Sequence, residues 1–220
     1  KIDYPASIAS NSITEGVNAL DTHLLNSTGD VIVVGQSQGA QVVSRWIRMY
    51  HDDPVRIAAL AGRVTFITTG NPLHSIHGKA WKTGANEVGG VPAQPLLVNT
   101  AYKVIEVARR WDGWTDWPDD EDNEKAVENA ESGQSKFHTK YRDVDLYASE
   151  NTKWRVGNTT YVLTREPDLP MYIGHWFISP NFKTVMRKHV ESAYDRPPAD
   201  VPLEVTPTQN RFWELVLENL

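Results

Sequence analysis

A four-residue β-branched run, Val31-Ile32-Val33-Val34, stops directly against Gly35-Gln36-Ser37-Gln38-Gly39. Residues 40–51 then carry Val43, Trp46, Ile47 and Tyr50 on one helical face. Strand, sharp turn and helix, with a serine at the apex, is the layout of a G-x-S-x-G elbow. Such a turn calls for small residues on both sides of the serine, because the backbone there is strained and crowded. It lifts the hydroxyl above the edge of a sheet. The positive end of the following helix then faces any oxyanion that forms there. The five-residue pattern alone is common, and the alternative is an ordinary strand–helix turn whose glycines serve packing. The flanking strand and helix favour the elbow. The reading is an α/β fold with Ser37 as nucleophile. The N–H of Gln38, the next residue, becomes an oxyanion donor.

The rest of the chain alternates in the same way. Residues 1–4 read as the end of a strand stopped by Pro5. Residues 12–25 place Ile13, Val17, Leu20 and Leu24 at helical spacing, with Ser12 and Glu15 as a capping box. Residues 30–34 are apolar on both faces, as a central parallel strand would be. A second strand over 64–69 ends at Gly70-Asn71-Pro72, and residues 73–95 form a long polar excursion. A third strand over 102–109 ends at Trp111-Asp112-Gly113. The acidic stretch 119–132 reads as a solvated helix or a mobile loop. Residues 153–155 and 161–164 flank Gly157-Asn158 as a hairpin. Residues 180–194 are helical, with Phe182, Val185, Met186 and Val190 on one side. These elements predict a mostly parallel central sheet with helices on both faces, in one domain over residues 1–200. An amphipathic tail over 201–220, with Phe212, Leu215, Val216 and Leu217, is expected to pack on the body or on other chains.

Composition narrows the functions. With 40% apolar residues in 220, the chain can build a substantial core. A net charge of -6 without a basic run argues against a nucleic-acid partner. Without cysteine there is no disulfide framework and no thiolate metal site. No apolar run approaches the roughly 20 residues of a membrane span, and no leader pattern opens the chain.

A serine hydroxyl needs a base in hydrogen-bond reach, and that base needs an orienting carboxylate. In α/β-hydrolases these follow in the order Ser, Asp or Glu, His. Asp112 sits just past the third strand, with Asp116 as a rival four residues on. His138, His175 and His189 all follow the acid. His189 falls in a helix, and His175 lies among Trp176, Phe177 and Ile178 as a core histidine would. His138, in a loop after Phe137, has the address of an imidazole held over a sheet edge. His74 and His77 have the spacing of a helical metal pair, but their region reads as loop and no third ligand is evident. No glycine-rich loop precedes Gly35 to supply a second oxyanion donor. Either another segment donates, or the hole is incomplete, or the chain is part of a longer polypeptide.

Several of these segments, taken in order, resemble one family. Gly35-Gln36-Ser37-Gln38-Gly39-Ala40 resembles the G-Y-S-Q-G/S-A elbow of cutinase-like serine esterases, specifically the mycobacterial PE-PPE domain and the related mycobacteriophage lysin B esterases, with Gln36 in place of the usual tyrosine. Tyr4-Pro5-Ala6 is similar to the Y-P-A segment upstream, and Gly70-Asn71-Pro72 to a strand end in G-N-P. Arg109-Arg110-Trp111-Asp112-Gly113-Trp114-Thr115-Asp116-Trp117-Pro118 resembles R-x-Y-D-G-x-A-D-x-P, and His138-Thr139-Lys140-Tyr141 resembles H-x-x-Y. The likeness runs from Tyr4 to about Arg196; the family's first strand and oxyanion loop are not visible. It implies an α/β-hydrolase that cleaves acyl esters through an acyl-enzyme, without metal or organic cofactor. Ser37, His138 and Asp112 would form the triad, with Gln38 N–H on the oxyanion. It further implies lipid or mycolyl esters as substrates, at an actinobacterial cell envelope, extracellular or phage-encoded. The second expectation is a catalytically silent hydrolase-fold module, a structural or envelope-binding part of a phage particle or cell surface.

Overall fold

β-Branched and aromatic residues dominate five short runs, and each forms a strand. These are β1 (Val31–Gln36), β2 (Val64–Thr69), β3 (Lys103–Ala108), β4 (Thr152–Val156) and β5 (Thr159–Leu163). They come from a computed structural model that describes residues 1–9 and 11–196. The strands form one sheet in the order β1-β2-β3-β5-β4, parallel throughout except for the β4–β5 hairpin. The amphipathic tail expected over residues 201–220 lies outside the described residues.

One face of the sheet is covered by α1 (Ser12–Asn26) and α2 (Gln38–Tyr50). Ile13, Val17, Leu20 and Trp46 of these helices share a buried cluster with Phe66 and Tyr102. Trp46 meets those last two rings at 5.3 and 5.2 Å between centroids. Residues alternate along the strands, so Ile67, Ile105 and Val162 turn to the opposite face. There Tyr141, Val144 and Leu146 cover them. A short α3 (Pro54–Leu60) and a single turn α4 (Lys79–Lys82) complete that half of the chain. No described helix is long and apolar enough to cross a membrane.

The strand ends are level, and this positions the site. Gln36 lies opposite Thr69, and Thr69 opposite Val107. Just beyond, Ser37 N–H donates to Thr69 O (3.0 Å) and Gly70 N–H to Val107 O (3.3 Å). The carboxyl edge of a parallel sheet is where such folds place their ligands.

Helix α5 (Glu124–Lys136) packs backbone to backbone on the loop after β3. A Cβ on Gly133 would fall 1.7 Å from Trp111 O, and one on Gly113 2.2 Å from Ala130 O. Gly133→Ala is therefore expected to force the helix off the loop. The cost is about 3 kcal/mol, or a melting temperature lower by about 6–12 °C. Asp112 should be displaced with it, because it sits between the two contacts. Thermal unfolding checks this; an unchanged melting temperature would contradict the close approach.

Several local expectations are corrected. Residues 1–4 join no ladder; Ile2 and Tyr4 pack against the α1–α2 cluster instead. With no strand outside it among the described residues, β1 is an edge strand and only half-buried, not central. Ser12 makes no cap. It is the first residue of α1, buried, and its hydroxyl reaches Gln38 Oε1 (3.1 Å). Of the acidic stretch, residues 124–132 lie in α5 as the expected helix, with Glu124, Glu128 and Glu131 exposed; its other face is not solvated, since Ala126, Asn129, Ala130 and Gly133 are buried, and residues 119–123 precede the helix as turn. In α6 (Pro180–Glu191), Val190 is buried, but Phe182 and Val185 are exposed.

Candidate active site

The elbow is strained as its residue types imply. Ser37 has φ 53° and ψ −110°, in the left-handed half of backbone space that an L-residue rarely enters. Gly35 is required for space, since a Cβ there would lie 2.5 Å from Gly39 O. Gly39 is not: a Cβ there would meet only the Tyr4 hydroxyl, at 4.0 Å. The expectation of two obligatory small neighbours holds at the first position only. Ser37 caps α2, so the unpaired N–H groups of the first turn, Gln38 among them, open beside its hydroxyl. The Gln38 side chain is tied down by Ser12 Oγ and by Ser7 O, the latter 2.7 Å from Nε2. The segment Tyr4-Pro5-Ala6-Ser7 thus lies beside the elbow. Its Ser7 N–H is already donated to Ser12 Oγ (3.1 Å).

From Ser37 a row of hydrogen bonds crosses the sheet edge. Ser37 Oγ lies 2.8 Å from His138 Nε2, and His138 Nδ1 lies 3.0 Å from Asp112 Oδ2. Asp112 is fully buried and acts only as an acceptor while ionised. Its Oδ1 takes the Trp114 N–H (3.2 Å), and Oδ2 also takes the Tyr141 hydroxyl (2.8 Å). A carboxylate acceptor on Nδ1 fixes the proton there and leaves Nε2 free to accept from serine. Gly70, at φ +54°, forms the floor under the ring. A Cβ there would lie 3.1 Å from His138 Cε1 and 3.0 Å from Tyr141 Cε2. The exposed indole of Trp114 stands 6.0 Å from the imidazole, centroid to centroid.

The loop carrying His138 is held from the β3 end. The Arg109 guanidinium pairs both its Nε and Nη2 with Glu166 at 2.8 Å and donates to Lys140 O at 2.8 Å. It also lies over the Phe137 ring, 4.5 Å from the centroid. Gln36, in place of a tyrosine, donates from Nε2 to His138 O (3.3 Å).

Asp116, the rival carboxylate, points away from this row. It accepts the Trp111 N–H (2.7 Å), pairs with both terminal nitrogens of Arg196, and lies 3.3 Å from His77 Nδ1. Burial alone would raise its carboxyl. Arg196 and His77 overcome that and hold it far below the usual carboxylate range. His77 is pushed down by burial, but hydrogen bonds to Asp116 and Asp119 outweigh this and raise it. His74 is buried, which lowers it, and its Nδ1 accepts the backbone N–H groups of Ile76 and His77 (3.4 and 3.3 Å). The two histidines thus serve the excursion's own turn and an ion-pair network. Among the described residues no group of three or more His, Cys, Asp or Glu side chains forms a metal cluster. His189 is exposed, and so is His175, which is not the core histidine its apolar neighbours suggested.

Sequence reasoning did not find the Tyr141 hydroxyl, the Trp114 N–H or the Gly70 floor as parts of the site. It also missed a second buried polar centre. Glu106, fully buried within β3, accepts from Asn71 Nδ2 (3.3 Å), Ser75 N (3.1 Å) and Ser75 Oγ (2.5 Å). This ties the loop after β2 to the sheet. A glutamate inside the apolar run Lys103–Ala108 was the available signal.

A family model described as PE-PPE domain matches residues 2–195 of the chain. No curated protein and no solved structure matches it.

Proposed function

The chain belongs to the PE-PPE domain family, a lipase/esterase-like family of α/β-hydrolases, and on that basis we propose that it is a serine ester hydrolase whose triad is Ser37, His138 and Asp112. The observation that carries this reading is the unbroken row from Ser37 Oγ through His138 to Asp112 Oδ2, at 2.8 and 3.0 Å.

Ser37 Oγ attacks the ester carbonyl while its proton passes to His138 Nε2. The carbonyl π electrons move onto oxygen, and the Gln38 N–H at the positive end of α2 stabilises that oxyanion. Collapse breaks the bond to the alcohol oxygen, which leaves with the proton from Nε2. The acyl group remains on Ser37. Water then enters, His138 takes its proton, and the carboxylic acid departs as Ser37 is restored. Asp112 stays ionised and supports the imidazolium in both halves. No step calls for a metal or an organic cofactor.

The substrates we propose are lipid-type or mycolyl carboxylic esters of an actinobacterial cell envelope, reached from outside the cell or by a phage-encoded protein. Support comes from the family and from the Trp114 indole, which offers an apolar wall beside His138 for an acyl chain. The test is hydrolysis of a series of p-nitrophenyl esters of increasing acyl length by the purified full chain. Turnover is expected, with kcat/KM rising as the chain lengthens. No turnover of any ester by the folded protein would reject the reading.

A further inference from the structure

Tyr141 is buried beneath the candidate triad, its ring among Ile67, Ile105 and Val107. Its phenolic oxygen accepts the main-chain N–H of Arg109 at 3.0 Å. A peptide N–H can only donate, so the single phenolic proton goes to the other partner, Asp112 Oδ2, at 2.8 Å. The direction of this hydrogen bond is therefore fixed by its surroundings. Burial and the adjacent Asp112 charge push the phenol well above its ordinary value, which keeps that proton in place. Oδ2 is the same oxygen that takes His138 Nδ1, at 3.0 Å.

We infer that Tyr141 is a positioning residue: its hydroxyl pins Asp112 Oδ2 to the end of β3 and so sets the orientation of His138. This rests on the proposed hydrolase reading and goes beyond it, since the Ser-His-Asp chemistry itself does not call for a phenol. The anchor is rigid. The Arg109 N–H follows directly on β3, and the Arg109 guanidinium holds the Lys140 carbonyl, one residue before Tyr141. Gly70 leaves open the space in which the Tyr141 and His138 rings lie side by side. The carboxylate is thereby held at Oδ1 by its own loop, through the Trp114 N–H, and at Oδ2 by reference to the sheet. Without the hydroxyl, Oδ2 keeps His138 as its one donor and loses its tie to the end of β3, while the Arg109 N–H loses its acceptor.

Tyr141→Phe removes the oxygen and keeps the ring. Ester kcat is expected to fall about 10–100-fold with KM within about twofold, as for loss of a group that orients another. A packing defect alone would lower the melting temperature without that split. A second readout needs no turnover: the low-field Nδ1 proton of His138 in the NMR spectrum, assigned by its disappearance in His138→Gln. It should move downfield in Tyr141→Phe, where the carboxylate leans on one donor only. If that variant does not fold, site-specific 3-fluorotyrosine at 141 keeps the shape and donates more strongly; the same resonance should then move upfield. A kcat within twofold of wild type, or a resonance unmoved by whichever replacement folds, overturns the inference. If wild type hydrolyses no ester, the hydrolase reading fails by itself, and the resonance still decides the role of Tyr141.

Discussion

Ser37→Ala is expected to lower ester hydrolysis by at least about 10⁴-fold while leaving the melting temperature within a degree or two. Among the described residues, the Ser37 hydroxyl is the one that meets His138 Nε2, and without it the proposed mechanism keeps only oxyanion stabilisation and binding. Stability should hold, or rise slightly. Alanine removes a polar group whose one partner among the described residues is His138, and the positive φ is no worse for alanine than for serine. Steady-state hydrolysis and thermal melts of the same preparation separate the two effects. Loss of activity together with loss of fold would leave no case for a nucleophile.

The second large effect is a contrast between neighbouring aspartates. Asp112→Asn should reduce kcat by about 10⁴-fold with little loss of stability. Oδ2 accepts from both His138 and Tyr141, so an amide nitrogen turned that way opposes two donors, and an amide oxygen turned that way carries no charge for the imidazolium. Asp116→Asn should do the reverse. It leaves the Ser37–His138–Asp112 row intact but strips a buried counter-charge from Arg196 and His77, at about 3–5 kcal/mol. Asp116 also gives the pH dependence. Its carboxyl is depressed in the folded state, so its contribution is complete above the ordinary aspartate range and is lost progressively as the pH falls from that range towards the lowered folded value. Asp116→Asn should flatten stability on the acid side. Equal losses of kcat in the two variants would mean that the acid is misassigned.

What the sequence made legible was local. The elbow could be read because strand, glycine, serine and helix follow one another within 20 residues. Asp112 could be narrowed to the end of a strand, but its separation from Asp116 depends on Arg196, 80 residues on, and on a hydroxyl from Tyr141. His138, His175 and His189 all satisfied the chain order, and only the loop setting favoured His138, because which histidine meets Ser37 is a tertiary fact, spanning 101 residues for the one that does. Helical period put Phe182 and Val185 with Val190, yet they are exposed, since period shows a shared face and not what covers it. Ser12 looked like a cap and instead bonds across to Gln38, where a tertiary partner outcompetes the local one. Gly113 was legible only as a glycine after a strand end, and Gly133 carried no sequence signal; their necessity is a backbone approach between elements distant in the chain.

The most direct test is reaction of the full chain with a fluorophosphonate probe, followed by intact mass and peptide mapping. A nucleophilic Ser37 predicts one adduct per chain, on Ser37, absent in Ser37→Ala and formed far more slowly in His138→Ala. No adduct on the folded protein, or an adduct on a different serine, would contradict it.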